Sequence, residues 1–307
     1  MLDITERFEA AITTFVEKIK NDSNILAVIL YGSLSNDRVW KKSDMDTYVL
    51  VREMKLDTKS ICVEEDGLLI NVNLQTEFEF KRGLERSLGG GFHTAMFDKA
   101  RVMFARDESL RTFIESNRNM GADDLALSFF QSATGLLYYM EKIEKWLTIK
   151  EDPLYTQFWT LKAVDQYANM HLILNGKPSS REAVLKVMEY APQDISHLYE
   201  RPMNGLMTHD ELWDVLRYYR KFLEDNLPLL RQPVDQFMTD GDVYTVTALV
   251  KHYGMYSHDL CHVFDFLDEM RVVSKVTENI RLTPKSRSAV EEVAYMYIGG
   301  SCDEKHN

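Results

Sequence analysis

Two short motifs near the N-terminus constrain the fold most, because each one adjoins an apolar run. Gly32-Ser33 follows the first run, and Asp44-Met45-Asp46 opens the second. Runs of this length and composition predict two buried strands. Because side chains alternate across a strand, Asp44 and Asp46 are expected to project from one face while Met45 points into the core.

Two carboxylates on one strand face can bind a divalent metal. Mg²⁺ (or Mn²⁺) prefers oxygen ligands, and Mg²⁺ usually combines one or two carboxylates with phosphate oxygens of a substrate. Gly32 lets the backbone approach a triphosphate, and Ser33 offers it both an N–H and a hydroxyl. The motifs therefore predict a site for a nucleoside triphosphate bound as its metal chelate, with ATP as the expected nucleotide.

Each motif also has an ordinary structural explanation. Gly-Ser at a strand end is a common turn, and Asp-x-Asp is common on solvated strand faces. The functional hypothesis depends on their joint occurrence between two predicted strands, with a ten-residue spacer from Leu34 to Ser43. Three basic residues of that spacer, Arg38, Lys41 and Lys42, either neutralise triphosphate charge or form a solvated loop.

At these motifs the chain resembles the DNA polymerase β-like nucleotidyltransferase superfamily, whose signature is Gly-Ser, a spacer and Asp-x-Asp on the next strand. The resemblance covers residues 8–118. It implies that Ser33 holds the β- and γ-phosphates and that Asp44 and Asp46 carry the metals. Smaller bacterial members, including the aminoglycoside and lincosamide nucleotidyltransferases, add a helical C-terminal domain that supplies the acceptor pocket.

The chain departs from this family at the third carboxylate, which usually lies on a later strand and often acts as the base. The best candidate strand carries amides at Asn71, Asn73 and Gln75. An asparagine ligates a metal weakly and cannot accept a proton at neutral pH. Glu77 and Glu79 are expected to extend the same strand in the same register, so they are the alternative ligands or bases.

Changes in hydrophobic periodicity predict an α+β protein of three regions. Residues 1–118 are expected to form a small mixed-sheet nucleotidyltransferase domain, with a helix at 4–20 and a last strand at 100–105. Residues 119–235 have the 3.6-residue periodicity of a helical bundle, which by the resemblance would bind the acceptor. Residues 236–307 are expected to form a helical, winged-helix-like module.

The winged-helix prediction introduces a different class of function. It rests on two helices joined at Gly254, a hairpin of two short strands around Thr277-Glu278, and a helix at 284–297. Residues 271–287 contain five Arg or Lys against one acid, so DNA binding is an alternative. Such modules also mediate packing, and a homodimer is a further alternative.

Composition favours an acidic, globular, cytoplasmic protein. The 307 residues are 45% apolar and carry a net charge of −12, which suits a small cationic acceptor better than broad nucleic-acid binding. Residues 1–8 lack a signal-peptide pattern, and no apolar segment is long enough for a membrane span. His258 and His262 share one helix face and could ligate zinc, but the glutamate of a metalloprotease motif is absent.

The favoured hypothesis is a Mg²⁺-dependent enzyme that moves a nucleoside monophosphate from a triphosphate to a hydroxyl of a small-molecule acceptor. A second hypothesis follows from the missing third carboxylate. It is a catalytically weakened, nucleotide-binding regulatory protein whose C-terminal module binds DNA or protein. A third is that the catalytic fold is retained only as a scaffold.

Overall fold

The apolar runs beside the two motifs form strands, as predicted, and these strands are antiparallel neighbours in the sheet. The computed structural model describes residues 4–32, 43–87, 100–116, 122–239 and 241–299. The chain divides into an N-terminal unit and a helical unit. These comprise Met1–Asp124 with Pro178–Ser180, and Leu125–Lys177 with Arg181–Asn307.

The N-terminal unit is built on a five-stranded mixed sheet with the order β3-β4-β2-β1-β5. Strands β2 and β4 are parallel, and the other neighbours are antiparallel. The predicted first helix and last strand are both present. The elements of this unit are α1 (Ile4–Ile19), β1 (Ile25–Tyr31), β2 (Met45–Val51), β3 (Ser60–Glu65), β4 (Leu68–Thr76), α2 (Glu77–Ser87), β5 (Arg101–Ala105) and α3 (Glu108–Ser116).

The two faces of this sheet carry separate cores. On one face, α1 packs Phe8 and Ile12 against Leu30 and Met45, all of them fully buried. The other face holds Tyr31, Tyr48, Leu50, Phe80, Leu110 and Ile114. Met45 therefore anchors the start of β2 in the α1 core, and the alternation of the strand turns Asp46 to the opposite face.

The predicted extension of β4 through Glu77 and Glu79 is wrong, because the strand ends at Thr76 and α2 begins there. The Thr76 hydroxyl accepts a hydrogen bond from the Glu79 N–H at 3.2 Å, as an N-terminal cap does. Glu77 pairs with Lys81 at 2.6 Å, and Glu79 pairs with Lys59 at 2.8 Å. Neither carboxylate shares the strand register of the β4 amides.

The helical unit has one continuous aromatic core that joins the helices to a small C-terminal sheet. Phe130, Phe264 and Tyr295 are fully buried and form a chain of ring contacts. The elements are α4 (Ala122–Thr148), α5 (Pro153–Leu174), α6 (Ala183–Met188), α7 (Pro192–Ile195), a π-helical turn (Ser196–Glu200), α8 (Arg201–Met203), α9 (His209–Asp225), α10 (Leu227–Phe237), β6 (Val243–Thr245), α11 (Val246–Tyr253), α12 (Ser257–Glu269), β7 (Val273–Ile280) and β8 (Val290–Tyr297).

The C-terminal hairpin differs from the sequence prediction in two ways. Thr277 and Glu278 lie inside β7, paired with β8, so the predicted turn there is wrong. The predicted helix at 284–297 is wrong as well, because Val290–Tyr297 forms β8. Ahead of β8, the Ser286 N–H donates to the Thr283 carbonyl at 3.0 Å and closes a turn.

The α+β class predicted from the sequence is confirmed, with a mixed sheet followed by a mainly helical region. The winged-helix ending and the predicted boundaries at residues 118 and 235 stay predictions. Among the described residues, no helix combines the length and the apolar character that crossing a membrane requires.

Candidate functional site

Three neighbouring strands bring a row of polar side chains together at one end of the sheet. Asp46 of β2 is paired with Tyr31 of β1 on one side and with Asn71 of β4 on the other. Residues paired across strands project to the same face, so these three side chains form one continuous row. One step along the sheet, Tyr48 is paired with Asn73 and forms a second row.

Asn71 joins the two predicted metal ligands. Its Nδ2 donates to Asp44 Oδ2 at 2.5 Å and to Asp46 Oδ1 at 3.1 Å. The carboxylates therefore project to one side, as the sequence predicted, and their oxygens converge on a single point occupied by a hydrogen-bond donor. Asp44 is exposed and Asp46 is partly buried, so the pair opens to solvent at Asp44.

Gly32 directly follows β1 and lies beside Asp46. Its φ of +85° lies in the left-handed region that glycine tolerates without steric cost. A Cβ atom at this position would lie 2.8 Å from Asp46 Oδ2, which is closer than real Cβ contacts allow. The absence of a side chain at Gly32 therefore lets the backbone lie close to the Asp46 carboxylate.

Two tyrosines lie beside Asp46 in these rows. The Tyr31 and Tyr48 rings are 4.7 Å apart and both are buried. Burial is the main cause that raises the pKa of both phenols, and the negative charge of Asp46 raises each pKa further. Side-chain hydrogen bonds join Tyr31 to Asn73 and to Tyr48. Because the pKa of each phenol is raised, both remain protonated at neutral pH.

The structure describes some of the site residues predicted from the sequence and leaves the others outside the described ranges. Gly32, Asp44 and Asp46 lie together. Ser33 and Lys42 lie outside the described residues, as do Arg38 and Lys41. Within the described part of the chain, no group of three His, Cys, Asp or Glu is arranged to hold a metal ion, consistent with an amide at the third position.

The sequence analysis missed the role of Asn71 as a bridge between the carboxylates. The signal was the run of amides at alternate positions of β4, which identified the correct face. The pairing partner could not be inferred, because β2 and β4 are parallel and sixteen residues separate Val51 from Leu68. Parallel pairing of that kind leaves no local turn signal.

The donor set fits a divalent cation. Two carboxylate oxygens converge on the Asn71 amide nitrogen. Oxygen atoms that accept hydrogen bonds from an N–H group are also the ligands that a divalent cation prefers. Asp44 and Asp46 would hold the cation, and the Asn71 side chain would have to release at least one of its two hydrogen bonds.

Comparison with known proteins agrees with this geometry. Residues 14–109 match the family model described as polymerase beta, nucleotidyltransferase. The N-terminal unit is therefore a nucleotidyltransferase-like domain of the DNA polymerase β superfamily. None of the curated proteins compared with the chain matches it.

A solved structure extends the similarity beyond this domain. The nucleotidyltransferase-like protein from Exiguobacterium sibiricum 255-15 is 16% identical and superposes with a TM-score of 0.67. The match covers 95% of this chain and 99% of that one. At this identity the likeness shows a shared fold alone.

The close approach at Gly32 gives a testable prediction. In the Gly32→Ala variant, the left-handed backbone costs about 1–2 kcal/mol of unfolding free energy, and the new Cβ displaces the Asp46 carboxylate. We expect both lower stability in urea unfolding and weaker Mg²⁺-dependent nucleotide binding by calorimetry.

Gly67→Ala is the matched control. Gly67 has a similar φ of +74°, but a Cβ there would meet nothing within 4 Å. It should show a backbone penalty of the same kind and unchanged nucleotide binding. Equal nucleotide affinity in the two variants would contradict a role for the close approach of Gly32 to Asp46.

Proposed function

We propose that the N-terminal unit binds a nucleoside triphosphate with Mg²⁺ or Mn²⁺ and transfers its nucleoside monophosphate to a hydroxyl of a small molecule. The observation that carries the proposal is the convergence of Asp44 and Asp46 on one point beside Gly32. The family match supports the nucleotidyltransferase class, and the substrates are our proposal. ATP remains the first nucleotide to test, and a cationic acceptor suits the net charge of −12.

Each residue of the site has a proposed task. Asp44 and Asp46 would hold the metal, while Ser33 and Lys42 would bind the phosphates. When bound, the metal would neutralise phosphate charge and stabilise charge that develops in the transition state. Gly32 would let the backbone lie close to the Asp46 carboxylate.

The reaction needs a destination for the acceptor proton. The acceptor oxygen would bond to the α-phosphorus as the bond to pyrophosphate breaks, and the hydroxyl proton would leave. Asn71 cannot take it, because an amide is not a base at neutral pH. Tyr31 and Tyr48 keep their own protons, since burial raises the pKa of each. We therefore propose that a base on the acceptor or solvent receives the proton.

Calorimetric titration with ATP, GTP, CTP and UTP, with and without Mg²⁺, tests the nucleotide site. The Asp44→Asn/Asp46→Asn double variant is the comparison. Binding that requires Mg²⁺ and disappears in the double variant is the expected result. If the wild-type protein binds none of the four nucleotides, the proposed function is wrong.

A second candidate is a nucleotide-binding regulatory protein, favoured by the amide at the third ligand position. Its partner surface would be the exposed hairpin tip, where Arg281, Lys285 and Arg287 occur without an acid between them. Helix α12 suits DNA less well than the hairpin tip does, because it carries the acidic residues Asp265 and Asp268. Nucleotide binding without transfer, together with a salt-resistant DNA shift, would support this candidate over the first.

A further inference from the structure

A cavity lies within the helical unit. Its volume is about 270 Å³, and it lies between α4, α9 and α12. Every described residue that lines it belongs to the helical unit. They are Leu137, Met140, Glu141, Glu144, Trp213, Leu216, Arg217, Arg220, His262, Asp265, Phe266 and Glu269.

The inner part of this cavity is apolar and partly aromatic. Leu137, Met140, Leu216 and Phe266 are each more than nine-tenths buried, and each contributes to the lining. Trp213 adds a large ring that is partly exposed. Small-molecule sites combine such an apolar lining with a few polar groups that fix orientation. The lining therefore suits a ligand with a compact hydrocarbon or aromatic body.

The two arginines of the cavity are already neutralised by neighbouring carboxylates. Arg217 pairs with Asp214. Arg220 pairs with Glu224 and with Glu269, both at 2.9 Å. Because each guanidinium is matched within the protein, an anionic ligand would have to compete with these carboxylates for it.

The remaining acids leave the cavity negative. Asp265 pairs with Lys275 at 2.7 Å, and Glu141 is hydrogen-bonded to the buried His262. Glu144 is different, because its side chain has no hydrogen-bond or ion-pair partner within the described part of the chain. The lining has four carboxylates, Glu141, Glu144, Asp265 and Glu269, against two guanidinium groups.

His262 has a hydrogen-bond partner at each of its two ring nitrogens. Its Nδ1 is bonded to Glu141, and its Nε2 lies 2.9 Å from Nδ1 of His258. The Tyr138 ring contacts both imidazoles edge-on, with centroid distances of 5.7 and 5.9 Å. Both ring nitrogens of His262 therefore have partners within the protein. The histidine holds the Glu141 carboxylate at the cavity, and its contacts are explained without a bound metal.

We propose that this cavity binds a small hydrophobic ammonium compound. The ammonium group would pair with Glu144 and Glu141, and the apolar body would occupy the space lined by Met140, Phe266 and Trp213. The aromatic rings add a favourable interaction with a cation. The described residues that line this site all belong to the helical unit, and the proposed ligand class follows from that lining alone.

Isothermal titration with 2-phenylethylamine, compared with 3-phenylpropanoate, tests the charge preference on a similar skeleton. We expect the amine to bind with a Kd of about 1 mM or tighter, in the range typical of a ligand of this size, and at least about tenfold tighter than the carboxylate. Glu144 is exposed, so Glu144→Gln should weaken amine binding by about two- to fivefold. Asp225→Asn is the matched control, because it removes an exposed α9 carboxylate outside the lining.

Fluorescence locates the binding event. Amine binding should change tryptophan emission in the wild-type protein and leave it nearly unchanged in Trp213→Phe, which retains an aromatic wall. Binding should persist in the Asp44→Asn/Asp46→Asn variant, which separates this site from the nucleotide site. No amine binding, equal binding of the carboxylate, or equal loss in Asp225→Asn would each overturn the proposal.

Discussion

Replacing Asp46 with asparagine is expected to lower Mg²⁺-dependent nucleotidyl transfer about a thousandfold. Asp46 is the central residue of the polar row and one of the two carboxylates bridged by Asn71. Loss of a metal ligand removes several kcal/mol of transition-state charge stabilisation, and each 1.36 kcal/mol is about tenfold in rate. The side chain keeps its shape, so the fold should be preserved.

The measurement is the rate at which label moves from α-phosphate-labelled ATP into a small-molecule fraction, with thermal unfolding recorded on the same samples. Asp66→Asn is the matched control. Asp66 lies in the turn between β3 and β4 with a φ of 53°, a conformation that asparagine tolerates well. Transfer at the wild-type rate in Asp46→Asn would reject the assignment of the site.

The parts of the site that were predictable depend on local sequence periodicity. The apolar runs around Gly32 and Asp46 identified two strands, and alternation alone placed Asp44 and Asp46 on one face. A local pattern suffices here because the strand period fixes which side chains face the core.

The errors arose where a local pattern was consistent with two structures. Glu77 continues the alternation of β4, but the Thr76 hydroxyl caps a helix at that point. Thr283-Pro284 has the sequence signature of a helix start, yet it forms a turn before β8. Pairing with β7 decides the conformation of Val290–Tyr297, and such contacts are not encoded within the segment itself.

The same reasoning explains why Asn71 was recognised as a departure but not as a bridge. Its amide was visible in the sequence. Its contact with both carboxylates depends on the parallel register that pairs it with Asp46. Because Asn71 donates to both carboxylates in the absence of metal, a change at this residue should have a measurable effect.

Asn71→Asp is expected to make the stability of the N-terminal unit depend on divalent metal. The substitution places a third carboxylate against two others, at the position where an amide now donates at 2.5 and 3.1 Å. Repulsion among like charges raises the pKa of such a cluster. In EDTA at pH 7 the variant should therefore lose about 1–3 kcal/mol of unfolding free energy relative to the wild type.

The sign of the pH dependence follows from the raised pKa. A carboxyl whose pKa is higher in the folded state stabilises the fold below its ordinary pKa of about 4 and loses that contribution as pH rises. The difference between Asn71→Asp and the wild type should thus be small near pH 4 and largest at neutral pH. A protonated carboxyl can also donate a hydrogen bond, as the amide does.

Added Mg²⁺ should reverse the loss. A ligand that binds only the folded state stabilises it by about 2.7 kcal/mol at a concentration of 100 times its Kd. Urea unfolding in EDTA and in a Mg²⁺ series measures both effects. Gln75→Glu is the matched control, because it adds the same charge on the same face of β4, where its strand partner is Leu50 instead of a carboxylate. If Asn71→Asp and Gln75→Glu respond equally to Mg²⁺, the three strands do not create a cation site, and the bridging amide would be a purely structural contact.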